Sequence, residues 1–241
     1  MILCCIFAQW ALLWRGFMPM IFMGKDNITI GLHDLTEALL GTLSCFVSLS
    51  FLLGLVSPVI LLIHGILFLP LYCLNKFVNE ELLLITDPGS IVYVHAFGAF
   101  HGFGAHIASF VNTRDHLELV EPPTEGNLKL IGFCILFLCF PTMNGISSES
   151  DAEMIRSIVN TLLAGMAGIV TSIAFKIAAE QCDGRRFNDD GVVTVTRSTS
   201  VSLVSGVVSI GSVSTLMIQP YGAIIIGMVS SLFASMSQLY L

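Results

Sequence analysis

Long apolar stretches recur along the whole chain, separated by short polar connections. Each is close to the length of about 20 residues that a helix needs to cross the hydrocarbon layer of a bilayer. A backbone in lipid must satisfy its own hydrogen bonds, and the alternating pattern of a membrane barrel is absent, so the pattern predicts transmembrane helices. The eight predicted spans are roughly residues 1–23, 34–54, 55–75, 90–110, 128–146, 154–180, 198–218 and 220–241.

Composition agrees with this all-α membrane class. Hydrophobic residues make up 55% of the chain and charged residues 11%, whereas soluble domains carry about 25% charged residues. The spans leave no room for a separate soluble domain, so a single integral membrane domain over residues 1–241 is predicted. The net charge of −7 offers no basic surface to nucleic acid. The seven cysteines form no spaced metal pattern, and no cofactor is expected.

The distribution of Lys and Arg predicts the orientation in the membrane. If the loops after the even-numbered spans face the cytosol, that side carries six basic residues and the opposite side carries three. The connection between the first two spans then lies outside, and it contains the sequon Asn27-Ile28-Thr29, which makes Asn27 a candidate glycosylation site. The cytosolic set is Arg114, Lys129, Lys176, Arg185, Arg186 and Arg197, and the outer set is Lys25, Lys76 and Arg156.

Local signals add detail to several spans. Glycines and other small residues run through the fourth, sixth, seventh and eighth spans, which predicts close helix packing because lipid provides no hydrophobic drive between helices. Ser150 stands three residues ahead of Glu153, and this capping-box pattern predicts the start of the sixth helix.

The stretch from residue 87 to 106, DPGSIVYVHAFGAFHGFGAH, places one aspartate and three histidines among apolar and small residues. An ionisable residue within a span is costly and is expected to face a cavity or a polar partner. On a helix, His95 and His106 point the same way, about 16 Å apart, and His101 points elsewhere. This spacing suits a lined path better than a metal site, and a satisfied interior histidine remains the alternative.

This stretch resembles the pore helix of the Rhesus glycoprotein branch of the ammonium transporter family, which reads Asp-x-Gly-Gly-Ser and then His-Thr-Phe-Gly-Ala-Tyr. AQWALLWRGF, LNKF, LFLCFPTMN, IVNTLLAG and IQPYGAIIIGMVSSL are similar to successive segments of that branch, in order. The resemblance covers essentially the whole chain but only the middle of the family's length. It implies about eight spans of an ammonium-transporter-like fold, with the opening and closing helices and the second pore histidine missing.

The resemblance implies a function as well as a fold. Members of this family form trimers with one narrow pore per subunit, and ammonia passes as the neutral molecule after ammonium loses its proton at the entrance. The expected substrates are ammonia, ammonium and carbon dioxide, and the expected partners are Rh-like subunits in a homo- or hetero-trimer of the plasma membrane. A cation at bilayer depth costs several kcal/mol or more, and the neutral gas costs far less.

By the register of the resemblance, five residues take positions on the pore path. His95 matches the first of the family's two pore histidines, and Asp87 matches its structural aspartate near the outer mouth. Leu40 and Met143 stand where the family has its outer and inner gating phenylalanines. These two residues keep an apolar plug but lose the aromatic attraction for cations. Phe140 is placed on the same path.

Lys76 stands where the Rhesus branch has a glutamate in its outer vestibule. A reversed charge close to the mouth is expected to repel ammonium. This departure supports a second hypothesis, in which the chain is a transport-deficient or truncated Rh-like structural subunit that assembles with full-length relatives. An intramembrane enzyme is not expected, since the sequence has neither a His-Glu-x-x-His nor a Gly-x-Ser-x-Gly motif.

Overall fold

A computed structural model of the chain describes residues 1–24, 26–28, 30–112, 125–182 and 190–240, and all regular secondary structure in these ranges is helical. Two short π-helical segments, Val78–Leu82 and Val92–Ala96, flank the connection between the third and fourth helices. The α-helices in the described ranges are α1 Ile2–Met23, α2 Leu32–Ser50, α3 Pro58–Phe77, α4 Phe97–Asn112, α5 Glu125–Asn144, α6 Asp151–Cys182, α7 Asp190–Gly211 and α8 Pro220–Tyr240.

Each predicted span corresponds to one of these helices, which confirms the all-α class. Four stretches are long and apolar enough to cross a membrane: Ile2–Met23, Pro58–Leu82, Asp151–Ala179 and Pro220–Gln238. The largest boundary error is at α7, which begins eight residues before the predicted start and ends at Gly211 rather than residue 218. It ends there because the chain turns, with the Val213 N–H bonded to the Ile210 carbonyl at 3.0 Å.

The predicted capping box at the start of α6 is half formed. The Glu153 N–H donates to the Ser150 hydroxyl at 3.4 Å, as expected for an N-cap serine. The Glu153 carboxylate, however, accepts from the Glu149 N–H at 3.0 Å. The Glu153 side chain therefore binds the N–H of Glu149, one residue before the Ser150 N–H that a capping box would use.

The chain divides into two compact units, and the first spans residues 1–119. Within it, α1 packs on α3 where Gly65 has no side chain, and the buried Phe7 ring fills the space that a Cβ at Gly65 would occupy. The Trp10 indole N–H donates to the Ile66 carbonyl at 3.0 Å. This contact removes a polar group from lipid, where an unsatisfied donor costs several kcal/mol.

Close contact between α2 and α4 depends on two glycines spaced four residues apart. A Cβ at Gly98 would lie 2.7 Å from the Ser44 carbonyl oxygen, and one at Gly102 would lie 2.5 Å from the Ser48 carbonyl oxygen. A larger residue at either position would therefore push the helices apart. This is the small-xxx-small packing that the sequence predicts for the fourth span.

The second unit, residues 120–241, packs α6, α7 and α8 around one buried alanine. A Cβ at Gly227 on α8 would overlap the Ala164 backbone, and one at Gly206 on α7 would lie 2.8 Å from the Ala164 carbonyl oxygen. Buried serines add hydrogen bonds between α7 and α8, among them Ser202 to Ser235 at 3.0 Å. Backbone contact and hydroxyl bonds together hold this unit.

The turn that precedes α4 contains a strained residue. In the sequence Asp87-Pro88-Gly89-Ser90, the Ser90 N–H donates to the Asp87 carbonyl at 2.9 Å, which closes a β-turn. Ser90 has φ of 52° and is buried. A non-glycine residue in this left-handed region carries a conformational cost.

We expect Gly227→Ala to destabilise the second unit by about 1–3 kcal/mol, because its methyl group would overlap the Ala164 backbone. Thermal unfolding of the full chain in detergent measures the effect. Gly132→Ala is the matched control, since its added methyl group meets nothing within 4 Å on an exposed position of α5. An equal midpoint for the two variants would contradict the packing argument.

We expect Ser90→Gly to raise stability by about 1 kcal/mol, since glycine adopts φ of 52° without the steric cost. Ser90→Ala removes the same hydroxyl but keeps the steric cost, so it is not expected to stabilise the chain. Thermal unfolding compares the two variants. A loss of stability in both would show that the hydroxyl matters more than the backbone strain.

Candidate functional site

Asp87 organises the entry to the fourth helix. Its Oδ2 accepts a hydrogen bond from the Val92 N–H at 2.6 Å, and the residue is 8% exposed. Burial raises the pKa of the Asp87 carboxyl, while hydrogen bonds from the backbone N–H groups of Val92, Ile91 and Tyr93 and the Lys76 charge act in the opposite direction. The carboxylate thus caps the free N–H groups at the start of this helix.

His95 lies within the π-helical segment Val92–Ala96, where it is partly buried. A π-helical segment disturbs the regular carbonyl pairing of an α-helix and often occurs at functional sites. The Ser44 hydroxyl on α2 donates to the Val94 carbonyl at 2.9 Å, with the Tyr93 carbonyl 3.3 Å away. Ser44 therefore holds the segment that carries His95 against α2.

Leu40, the predicted outer plug, is buried on α2 at 5% exposure. It lies one turn before Ser44, and residues four apart share a helix face. The face of α2 that carries Leu40 is thus the one that contacts the π-helical segment. Leu40, Asp87 and His95 all belong to the first unit.

Phe140 and Met143 lie on α5 in the second unit. The Phe140 ring is buried and packs against Leu203 and Val207 of α7. Met143 is partly buried. The position of Phe140 and Met143 on the pore path remains a prediction.

The structure also brings together two histidines that the sequence does not associate. The Ser48 hydroxyl lies 2.9 Å from His64 Nε2 on α3 and 3.2 Å from His101 Nδ1 on α4. The two imidazole rings are 5.0 Å apart between centroids. His106 makes a separate contact, with its Nδ1 3.0 Å from the Phe51 carbonyl. His101 thus has a partner on α2.

Lys76 is 4% exposed, and its charge is paired. Its ammonium group donates to Glu37 Oε2, lies 3.4 Å from Glu80 Oε1 and stands 5.4 Å from the centroid of the Tyr93 ring. Glu37 Oε2 also accepts from Arg15 Nη1 at 3.4 Å. One buried carboxylate on α2 therefore binds cations from both α1 and α3.

These charges surround a cavity of about 210 Å³ bordered by α1, α2 and α3. Among the described residues of its wall, four are carboxylates, Asp34, Glu37, Glu80 and Glu81, and two are cations, Arg15 and Lys76. Tyr72 lines the same cavity at 2% exposure, and its hydroxyl has no hydrogen-bond partner. The excess of carboxylates makes the cavity favourable to cations.

The predicted glycosylation site lies at the edge of this cavity. Asn27 is exposed and contributes to the cavity wall, and Thr29 of the sequon lies outside the described residues. As for metals, no group of three His, Cys, Asp or Glu side chains that could hold an ion occurs in the described ranges of the chain.

The Ammonium Transporter Family model matches residues 5–239 of this chain. Two relatives are the human ammonium transporter Rh type C, 28% identical over 235 residues, and the bovine ammonium transporter Rh type C, 30% identical over 239 residues. Each alignment covers 97% of this chain, and 47% of the human and 49% of the bovine protein. The chain therefore spans about half the length of these relatives.

A solved structure agrees in fold. The chain superposes on Rh50 of Nitrosomonas europaea with a TM-score of 0.71 and 19% sequence identity, covering 95% of this chain and 60% of that one. The helices described above are thus those of an ammonium-transporter-like fold. With nearly the whole sequence matched by the family model, the chain belongs to the ammonium transporter family.

Proposed function

We propose that this chain moves ammonium and ammonia across the membrane as a channel or transporter of the Rh type. The observation that carries the proposal is the family match over residues 5–239, which includes the stretch from Asp87 to His95. The active form is proposed to be a trimer with Rh-like subunits in the plasma membrane, with carbon dioxide as a further substrate. A single membrane domain over residues 1–241 belongs to the same proposal.

The chemistry of the proposal depends on His95. A neutral imidazole both donates and accepts hydrogen bonds, and it can therefore bind ammonia without charge. The Asp87 cap and the Ser44 contact hold the segment that carries this ring. Leu40 lies on the adjoining face of α2, where an apolar side chain would exclude water and hydrated ions.

The second candidate is a transport-deficient or truncated structural subunit. The observation in its favour is the position of Lys76, whose ammonium group is bonded to the Glu37 carboxylate. A carboxylate that already forms an ion pair attracts a second cation only weakly. In this role the chain contributes packing surface to a trimer and leaves conduction to its full-length partners.

We expect His95→Ala to lower methylammonium uptake by about tenfold, because a lost hydrogen bond of about 1.4 kcal/mol at the rate-determining position changes a rate by that factor. Uptake is measured in cells that lack their own ammonium transporters, with surface expression matched. His33→Ala is the control, since His33 is exposed at the start of α2. Equal uptake by His95→Ala and the unmodified chain would count against conduction at this residue.

The structural-subunit candidate predicts that the tagged chain co-purifies with a full-length Rh type C protein, in a complex of three subunits in all. Native mass spectrometry of the co-expressed pair measures the composition. Co-purification combined with uptake no greater than that of the partner alone would favour this candidate. A chain that conducts by itself and never joins the partner would exclude it.

A further inference from the structure

Three helices of the first unit bring two imidazole rings and one hydroxyl to a single point. Ser48 on α2 is fully buried, and its Oγ lies 2.9 Å from His64 Nε2 on α3 and 3.2 Å from His101 Nδ1 on α4. A hydroxyl has one proton, so it donates to only one of the two rings, and the other ring must then donate to the oxygen. A metal ion in their midst would instead use a lone pair from each of the three atoms.

Packing holds these side chains in place. The buried Phe68 ring stacks on His64 with 6.2 Å between the ring centroids, and it meets His101 edge-on at 4.9 Å. Gly102 follows His101 on α4, and a Cβ at Gly102 would lie 2.5 Å from the Ser48 carbonyl oxygen, so the backbones of α2 and α4 are in contact at this level. Ligands that are already ordered by their neighbours lose little freedom when they bind an ion.

The spacing of the three polar atoms is close to that of one face of a coordination tetrahedron. Ligand atoms bound at about 2.0–2.1 Å to a tetrahedral zinc ion lie about 3.3 Å from one another, and the two distances from Ser48 Oγ are 2.9 and 3.2 Å. Two imidazoles on such an ion have centroids about 5.2 Å apart, whereas linear coordination separates them by about 6.3 Å. The centroids of His64 and His101 are 5.0 Å apart, which fits the tetrahedral arrangement.

From this geometry we propose that His64, His101 and Ser48 bind a divalent metal ion of the zinc class, with water in the fourth position. Imidazole is a preferred ligand of zinc, and three protein ligands with one open position are a common zinc arrangement. Two ligands are histidines, and the Ser48 hydroxyl is the third. Because no ligand in this set is a thiolate or carboxylate, we expect a reversible site that binds more weakly than a structural zinc site. The proposal concerns binding and does not depend on conduction.

The measurement uses the full chain in phosphatidylcholine nanodiscs, after removal of any affinity tag. Zinc chloride at about a hundred times its dissociation constant is expected to raise the thermal unfolding midpoint by about 5 °C over the value in magnesium chloride at the same concentration. Cobalt chloride is expected to give the intense visible absorption of tetrahedral Co²⁺, which reports the geometry of the site directly.

His64→Ala and His101→Ala are each expected to abolish the zinc shift and the cobalt absorption, because each removes one of the two imidazole ligands. Every shift is taken against the same variant without zinc, so a loss of basal stability does not enter the comparison. His106→Ala is the matched control. His106 is also a partly buried histidine of α4, but its Nδ1 lies 3.0 Å from the Phe51 carbonyl, and we expect its removal to leave both signals unchanged.

Ser48→Cys tests the third ligand in the opposite direction. A thiolate binds zinc more strongly than a hydroxyl and is similar in size, so this variant is expected to bind zinc about tenfold more tightly and to add a thiolate-to-cobalt absorption band. The proposal is overturned if zinc stabilises the unmodified chain no more than magnesium does, if either His64→Ala or His101→Ala keeps the zinc shift, or if Ser48→Cys shows neither change. If the histidine variants do not fold, Ser48→Cys decides together with the unmodified chain, because it keeps both rings.

Discussion

Direct contact between helix backbones is the constraint on which both units depend. Apolar side chains gain little by leaving lipid for another apolar surface, so packing energy must come from close approach. Gly206 and Gly227 bring α7 and α8 onto the backbone of Ala164, and Gly98 and Gly102 bring α4 onto α2. These close helix contacts make the buried polar contacts possible, because a hydroxyl reaches a carbonyl of the neighbouring helix only when the two backbones are near.

The same constraint explains where the polar residues of the first unit lie. Ser44 and Ser48 stand one turn apart on α2, opposite the two glycines of α4. Ser44 binds the carbonyl of Val94 in the π-helical segment, and Ser48 lies between His64 and His101. Without close contact between α2 and α4, the imidazole of His101 and the carbonyls near His95 would lack these partners.

Much of this fold follows from the sequence, because hydropathy and small-residue spacing are local signals. In the described part of the chain, the structure confirms the eight predicted helices and the start of α6 after Ser150. The π-helical segment at His95, the left-handed Ser90 and the pairing of His64 with His101 have no local signal, since each depends on tertiary contacts. Hydropathy also cannot reveal that Lys76 is neutralised, because Glu37 lies on another helix, 39 positions away.

The paired state of Lys76 changes the electrostatic argument made from its sequence position. An isolated lysine at the predicted mouth would repel ammonium, but Glu37 and Glu80 at short range cancel most of its field. Among the described residues of the cavity wall, four carboxylates stand against two cations, so negative charge is in excess. The repulsion expected from the charge reversal at position 76 is therefore largely offset by ion pairing. The lysine at position 76 also leaves the α2 side of the cavity without a free Glu37 carboxylate, because Glu37 already binds the Lys76 ammonium group.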